Sequence, residues 1–386
     1  CGALSYGALA HRMTESGGEY LFLSRAIHPL VGFLAGWISL LAGFTGAIAF
    51  AATAFATYAL PDAVRPAWLS HDALATGVVV GAGLMHGRHV RGGVLSQNVM
   101  VIVKLGLIAA FLLYALFTLS LPLWQGGPVL APGTSTPPPF SFSAFAMTLM
   151  WISLSYSGFN AAIYVAGEAR QADVIVPRAM VMGTLLVTAL YLALNAVFVC
   201  APAPETIAGQ QDVATRAAFA LGGEPLALAV RLIIVVALLT SVSAMIMAGP
   251  RVYARMAEDG VLPSLFRVHG DAPRAAVALQ VVLAIIVIWL AELQALLSYL
   301  GFTLSVSAAV TVASLFGLRW REGARKVPIP GYPFVPGCFV LCTLGFAGLA
   351  ALRRPQEPLV GVATIAVGIV FYLLVKKNPL HQGEAT

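Results

Sequence analysis

One charged side chain lies deep within an apolar stretch of this sequence. Lys104 occurs in NVMVIVKLGLIAAFLLYALF, residues 98–117, about eight residues from the preceding polar stretch, which is roughly 12 Å along a helix. An ammonium group at such a depth in a bilayer is costly and is rarely kept without a use. Lys104 could be a fixed positive charge in place of a bound cation, or a group that gains and loses a proton. The alternative is a lysine nearer the interface whose charge reaches water.

A second apolar stretch, residues 142–167, carries small and polar residues near its middle. They are Tyr156, Ser157, Gly158, Phe159 and Asn160. Glycine and serine weaken a helix, and an interrupted helix exposes N–H and C=O groups that can hold a zwitterion. The pattern predicts a helix break with a binding site; close helix packing by small residues is the competing explanation.

Hydroxyl side chains form a third group of candidates. The sequence places Thr240, Ser241 and Ser243 at the middle of one apolar stretch, where they could coordinate a cation or accept a hydrogen bond from Lys104. Thr45 and Thr303 occupy similar positions in two other stretches. Because Ser and Thr often bond to carbonyls of their own helix, each is also explained by a structural role.

Acidic and metal-binding residues show no such placement. All 16 acidic residues and all seven histidines can be assigned to loops or to the ends of apolar stretches. The four cysteines have no metal-ligand spacing. An embedded hydrolase or metalloenzyme needs such groups to converge at depth, so we expect no enzyme, no metal and no cofactor.

Composition defines the elements that must position these residues. Of 386 residues, 59% are hydrophobic and 10% are charged, and the mean hydropathy is +0.88, whereas soluble domains have about 25% charged residues. A soluble, disordered or disulfide-stapled secreted protein is excluded. The sequence predicts an all-α polytopic membrane protein, with residues 1–386 forming one domain in a lipid bilayer and no nucleic-acid partner.

A membrane-spanning helix needs about 20 apolar residues. Ten complete spans are predicted, and residues 1–10 resemble the end of another span, so we expect a sequence that begins within a span. The ten are residues 30–60, 72–87, 96–119, 142–167, 179–201, 225–250, 275–291, 294–318, 334–352 and 357–375.

Basic residues orient these spans. Sixteen of the 22 Lys and Arg residues fall in alternate loops that begin with residues 11–28, five fall on the opposite side, and Lys104 lies within a span. Lys and Arg concentrate on the cytoplasmic side of membrane proteins. The loops with sixteen basic residues, and the C-terminus, are therefore predicted to be cytoplasmic.

Four stretches resemble the amino acid–polyamine–organocation (APC) permeases, especially bacterial relatives of the L-type exchangers. They are GALSYGALAHRMTESGGEYLFLSRAIHPLVGFLAGW, VLSQNVMVIVKLGLI, SYSGFNAAIYVAGE and LLTSVSAMIMAGPRVYARMAEDGVLP. The resemblance implies a LeuT-type fold of twelve spans, in which the first ten form two inverted five-helix repeats. This chain then begins inside span 2 and lacks span 1, which carries the glycine-rich half of the family's substrate site.

The resemblance also implies roles for the candidate residues. Backbone carbonyls at Ser157, Gly158 and Phe159 would hold the substrate amine, and Asn160 would brace the break. Lys104 would replace a sodium ion and link span 1 to span 8 near Ser241 and Ser243, which implies sodium-independent transport. Tyr156, Thr45 and Thr303 complete the implied substrate site.

Two positions depart from the family pattern. Leu154 stands where some relatives carry an aromatic gate, so that Trp151, Tyr156 or Phe159 would close the site instead. Ala172 replaces the first proline in the loop after Glu168.

These features predict a secondary transporter of amino acids in the plasma or inner membrane, by proton symport or by substrate exchange. The apolar lining, and the absence of an acidic residue at depth, favour neutral substrates. An amino acid sensor or a regulatory membrane subunit with the same fold is the alternative.

Overall fold

In a computed structural model, the described part of the chain comprises residues 1–61, 65–88, 90–119, 140–210, 212–268, 273–291, 293–353 and 356–377. It is built from helices, and those residues contain no strand. The predicted cytoplasmic C-terminus, residues 378–386, lies outside the described part.

Seven α-helices cover the first half of the chain. They are α1 (Gly2–Arg12), α2 (Gly18–Ala26), α3 (Pro29–Ile38), α4 (Ala47–Ala59), α5 (His71–Arg88), α6 (Val90–Thr118) and α7 (Phe142–Ser155). A π-helical segment, Ser39–Gly46, joins α3 to α4 without a break, so that one continuous span results.

Seven more α-helices follow. They are α8 (Ala172–Cys200), α9 (Pro204–Ile207), α10 (Val213–Glu258), α11 (Arg274–Leu290), α12 (Leu293–Glu322), α13 (Phe334–Arg353) and α14 (Gln356–Lys377). One short 3₁₀ segment, Ala161–Glu168, lies between α7 and α8, and another, Ser264–Phe266, lies between α10 and α11. Non-helical dihedral angles at Gly222 and Gly223 divide α10 into a short outer piece and a long span.

Five helical segments of the described chain are long and apolar enough to cross a membrane. They are Pro29–Ala59, Leu95–Thr118, Ala172–Cys200, Val213–Glu258 and Tyr299–Glu322. Three shorter apolar helices are Arg274–Leu290, Phe334–Leu349 and Leu359–Val375. Only 6% of the most apolar part of α8 is buried within the protein, so this helix offers its apolar surface to lipid.

Three helices pack most extensively against partners that are five predicted spans away. The helices α1, α4 and α5 have as these partners α8, α10 and α11, respectively. Two five-helix repeats related by a two-fold axis bring equivalent helices together in this way. The packing is therefore that of an internal repeat.

The core where these pairs meet contains large side chains. Tyr6, Phe22, Phe33 and Tyr253 are almost completely buried. The start of α3 is fixed locally, because the His28 side chain accepts a hydrogen bond from the Leu30 amide at 3.1 Å and Pro29 occupies the first turn.

Close contact between α2 and α3 depends on Gly32. A Cβ atom at this position would lie 1.9 Å from Ser24 Oγ and 2.5 Å from the Ser24 amide nitrogen. Four residues later, a Cβ at Gly36 would lie 2.5 Å from Met256 Sδ on α10. The small-residue pair in the sequence therefore serves helix packing.

We expect Gly32→Ala to lower the free energy of unfolding by about 1–3 kcal/mol, because the added methyl group overlaps the α2 backbone. The matched control is Gly77→Ala in α5, where a Cβ meets no described atom within 4 Å. This control should be neutral, or more stable by up to about 1 kcal/mol, because alanine is the better helix former. Thermal unfolding of both variants in detergent is the measurement; equal losses would contradict the packing argument.

Candidate functional site

The span that begins with α7 is interrupted at its middle. The helix ends at Ser155, the backbone turns through residues 156–160, and the 3₁₀ segment begins at Ala161. Gly158 has a φ of +93°, a conformation that other residues adopt only with strain. The turn is closed by hydrogen bonds from the Phe159 amide to the Tyr156 carbonyl at 3.2 Å and from the Ala161 amide to the Gly158 carbonyl at 2.9 Å.

Two carbonyl groups in this turn have no protein partner. Among the described residues, neither the Ser157 carbonyl nor the Phe159 carbonyl accepts a hydrogen bond across the break. Ser157 and Gly158 are exposed. A polar ligand or water must satisfy such groups at membrane depth, so the break offers two acceptors to a ligand's N–H groups.

Aromatic side chains flank the break on two sides. The Tyr156 ring meets Tyr191 edge-on, with centroids 5.1 Å apart, and the Tyr191 hydroxyl donates to the Ser155 carbonyl at 2.8 Å. The Phe159 ring lies edge-on to Tyr6 at 5.2 Å. The aromatic residues therefore hold both ends of the turn against α8 and α1.

Asn160 leads to a buried carboxyl group that the sequence analysis did not recognise. Its Nδ2 donates to Glu19 Oε1 at 3.2 Å, and Glu19 is only 5% exposed. The Glu19 carboxylate also accepts hydrogen bonds from the Tyr6 hydroxyl at 2.5 Å and the Ser307 hydroxyl at 2.6 Å. Glu19 lies in the loop region to which the sequence analysis assigned it, at the start of α2, but its side chain is buried rather than exposed.

The inward position of Glu19 follows from the two glycines before it. Gly17 and Gly18 have φ angles of +138° and +59°, and a Cβ at Gly18 would lie 2.1 Å from the Tyr164 ring. The backbone therefore turns sharply against the 3₁₀ segment, and the next side chain enters the protein. Burial raises the pKa of the Glu19 carboxyl, although its three hydrogen bonds act in the opposite direction.

Lys104 lies beside only one member of the predicted hydroxyl cluster. Its Nζ donates to Thr240 Oγ1 at 3.3 Å. Ser241 donates to the Ala237 carbonyl of its own helix at 3.0 Å, and Ser243 is 2.9 Å from His86 Nε2. The structure thus links α6 to α10 through Lys104 and Thr240, and gives Ser241 and Ser243 other partners.

Thr45 and Thr303 are buried but make other contacts. Thr45 Oγ1 accepts a hydrogen bond from Gln280 Nε2 at 2.7 Å, and Gln280 also accepts one from the Tyr253 hydroxyl. A Cβ at Gly361 on α14 would lie 3.4 Å from Thr303 Oγ1, which has no hydrogen-bond partner among the described residues. The structure does not bring either threonine into contact with the break.

Ion pairs link helices on the predicted cytoplasmic side. Arg12 on α1 pairs with Glu322 on α12 at 2.5 Å. Glu15 pairs with Arg255 on α10 at 2.7 Å. Glu168, at the end of the 3₁₀ segment, pairs with Arg251. These contacts join α1 and the interrupted span to α10 and α12.

Apolar helices, repeat-related pairing and an interrupted span define a polytopic membrane protein of the inverted-repeat class. The family model described as "Amino acid permease" matches residues 1–375, and the chain belongs to this family. The predicted family is confirmed, as is the LeuT-type all-α fold expected from it.

Individual relatives are about a quarter identical to this chain over the aligned residues. The b(0,+)-type amino acid transporter 1 of Mus musculus is 25% identical over 383 residues, covering 97% of this chain and 77% of the relative. Solute carrier family 7 member 13 of Mus musculus is 27% identical over 373 residues, covering 93% and 76%. The cystine/glutamate transporter of Homo sapiens is 24% identical over 381 residues, covering 97% and 75%.

We expect Gly158→Ala to destabilise the protein by about 1–2 kcal/mol, the cost of the left-handed conformation for a residue with a Cβ. Steric overlap is not the cause, because a Cβ at Gly158 meets no described atom within 4 Å. Gly183→Ala in α8 is the matched control, since its surroundings are equally open but its backbone is helical. We expect Gly158→Ala to lower the unfolding midpoint and Gly183→Ala not to lower it. Equal midpoints for the two variants would rule out strain at the break.

Proposed function

We propose that this protein is a secondary transporter that moves amino acids across the plasma membrane by alternating access. The observation that carries the proposal is the interrupted span of an amino acid permease, with the free carbonyls of Ser157 and Phe159 at its break. An α-ammonium group supplies the N–H donors that these two carbonyls lack. Interrupted helices at mid-membrane are where many transporters bind substrate.

The flanking side chains indicate the kind of substrate. Leu154, Tyr156 and Phe159 offer apolar and aromatic surface next to the free carbonyls. Apolar surface favours substrates with neutral side chains, because a charged side chain would lose its hydration there. Neutral amino acids are therefore the proposed substrate class.

Alternating access requires two bodies that move relative to each other. The first consists of α1, α8 and the interrupted span, and the second is built on α4, α5, α10 and α11. The pairing of repeat-related helices supports this division, because each pair, α1 with α8, α4 with α10 and α5 with α11, falls within one body. The ion pair of Glu168 with Arg251 crosses between the bodies, and the pairs of Arg12 and Glu15 tie the end of α1 to α12 and α10. These three pairs would open when the cytoplasmic side opens.

Lys104 supports sodium-independent transport. Its ammonium group lies beside Thr240, where hydroxyl and carbonyl oxygens gather, and Gln97 Nε2 donates to the Thr240 carbonyl at 3.2 Å. A fixed positive charge in such a place makes a bound sodium ion unnecessary and, by Coulomb repulsion, unfavourable.

Uptake of a labelled amino acid panel by the full-length protein in proteoliposomes tests the function. One set of vesicles carries an inward proton gradient, and another has no gradient but is loaded with unlabelled amino acid. Uptake that needs the gradient indicates symport, and uptake that needs internal amino acid indicates exchange. Binding without uptake in either set would refute the transporter and favour an amino acid sensor.

We expect Lys104→Ala to reduce uptake by about tenfold or more, because the loss of a charged hydrogen bond costs about 1.5–3 kcal/mol. Lys326→Ala, which removes an exposed lysine in a cytoplasmic loop, is the matched control and should transport normally. Initial uptake rates are compared at equal amounts of reconstituted protein. Wild-type rates and wild-type pH dependence in Lys104→Ala would show that Lys104 is not part of the mechanism.

A further inference from the structure

The Glu19 carboxylate is buried without a positive charge beside it. Its three hydrogen bonds come from Tyr6, Asn160 and Ser307, all of which are neutral donors. No ion pair within the described residues includes Glu19. Buried carboxylates are normally paired with a cation or become protonated, so burial without a cation favours the binding of a proton by this group.

The charged groups near α2 are engaged elsewhere. Arg255 pairs with Glu15 at 2.7 Å, and the Tyr20 hydroxyl donates to Asp259 at 2.7 Å. On α2 itself, Arg25 pairs with Glu15. Other titratable groups on neighbouring elements include Tyr6 on α1, Tyr164 on the 3₁₀ segment, Glu168 with Arg251, Tyr253 and Glu258 on α10, and the α12 residues Arg319, Arg321 and Glu322. Tyrosine is neutral over the physiological range, so Glu19 is the group in this pocket that can exchange a proton.

The donors to Glu19 lie inside and outside the first of the two bodies. Tyr6 on α1 and Asn160 at the break belong to that body, whereas Ser307 lies on α12, which is not part of it. A rearrangement between these elements removes at least one donor from the carboxylate. A hydrogen bond to the carboxylate favours its ionised form. The proton affinity of Glu19 must therefore differ between the two conformations.

Linkage makes this relation reciprocal. If the conformation changes the affinity of Glu19 for a proton, then binding of a proton changes the conformational equilibrium by the same factor. A proton could enter from the cytoplasmic side, because α2 directly follows the loop predicted to lie there. Proton binding and release at Glu19 require only that the O–H bond of its carboxylic acid form and break.

We propose that Glu19 is a proton-binding site whose occupancy is linked to the transport cycle. This inference rests on the proposed transport function and extends it, because it names the group through which pH acts. It assigns to Glu19 a role separate from that of Lys104, which lies between α6 and α10 and bonds to neither the break nor α1.

Glu19→Gln separates a proton-binding role from a structural one. The amide oxygen of Gln can accept from Tyr6 and Asn160 as Oε1 does, and its NH₂ group can donate to the Ser307 hydroxyl. The substitution therefore keeps the three contacts and leaves a neutral side chain that cannot bind or release a proton. Glu258→Gln is the matched control, because it neutralises an exposed carboxylate at the cytoplasmic end of α10.

The full-length wild-type protein and both variants are reconstituted, and initial uptake of a transported amino acid is measured at several pH values, each equal inside and outside the vesicles. We expect wild-type and Glu258→Gln uptake to change about tenfold between about pH 5 and about pH 8. In Glu19→Gln the change should be less than about twofold, with no stimulation by an inward proton gradient. Exchange against internal amino acid should continue in Glu19→Gln within about threefold of wild type.

Two results would overturn the proposal while leaving the transport function intact. One is a Glu19→Gln variant that keeps the wild-type pH dependence, and the other is wild-type transport that does not depend on pH. If Glu19→Gln fails to fold, Glu19→Asp takes its place. A displaced pH midpoint then supports the proposal, and an unchanged one overturns it. Wild-type protein that transports no amino acid under either condition refutes the transport function itself and this proposal with it.

Discussion

Within a bilayer, every backbone N–H and C=O group must find a partner inside the protein, and this constraint determines how the interrupted span is built. The turn at residues 156–160 is braced by side chains on two sides. Tyr156 packs on Tyr191, Phe159 packs on Tyr6, and Asn160 bonds to Glu19. These contacts leave the carbonyls of Ser157 and Phe159 without a partner among the described residues, so the break that threatens stability also provides the proposed ligand site.

Lys104 and Glu19 both have neutral hydrogen-bond partners, yet they lie between different elements of the fold. Lys104 bridges α6 and α10 through Thr240, whereas Glu19 receives donors from α1, the break and α12. The contact of Lys104 with Thr240 is compatible with a constant charge on Lys104 throughout the proposed transport cycle. The contacts of Glu19 have to change when α1, the break and α12 separate, because these elements do not all move together.

Sequence patterns predicted the apolar helices and the interruption at Gly158, since apolar length and helix-weakening residues are local signals, whereas the inverted repeat was expected from the family resemblance. The patterns did not predict the burial of Glu19, because an acidic residue after a polar loop is normally exposed. The positive φ angles of Gly17 and Gly18 turn it inward, and the Gly-Gly pair was the available signal. The patterns also favoured Ser241 and Ser243 as neighbours of Lys104. Which hydroxyl faces α6 depends on the rotation and depth of α10, and tertiary packing sets both.

The strength of the ion pairs on the predicted cytoplasmic side depends on the salt concentration of the surrounding solution. Arg12 with Glu322 and Glu15 with Arg255 are partly exposed to water, and partly exposed pairs weaken as dissolved ions screen them, over a distance of about 8 Å at physiological salt. These pairs hold the ends of α1, α12 and α10 together on the predicted cytoplasmic side. In the proposed transport cycle, ionic strength on that side therefore acts on the balance between closed and open forms, independently of any substrate or membrane potential.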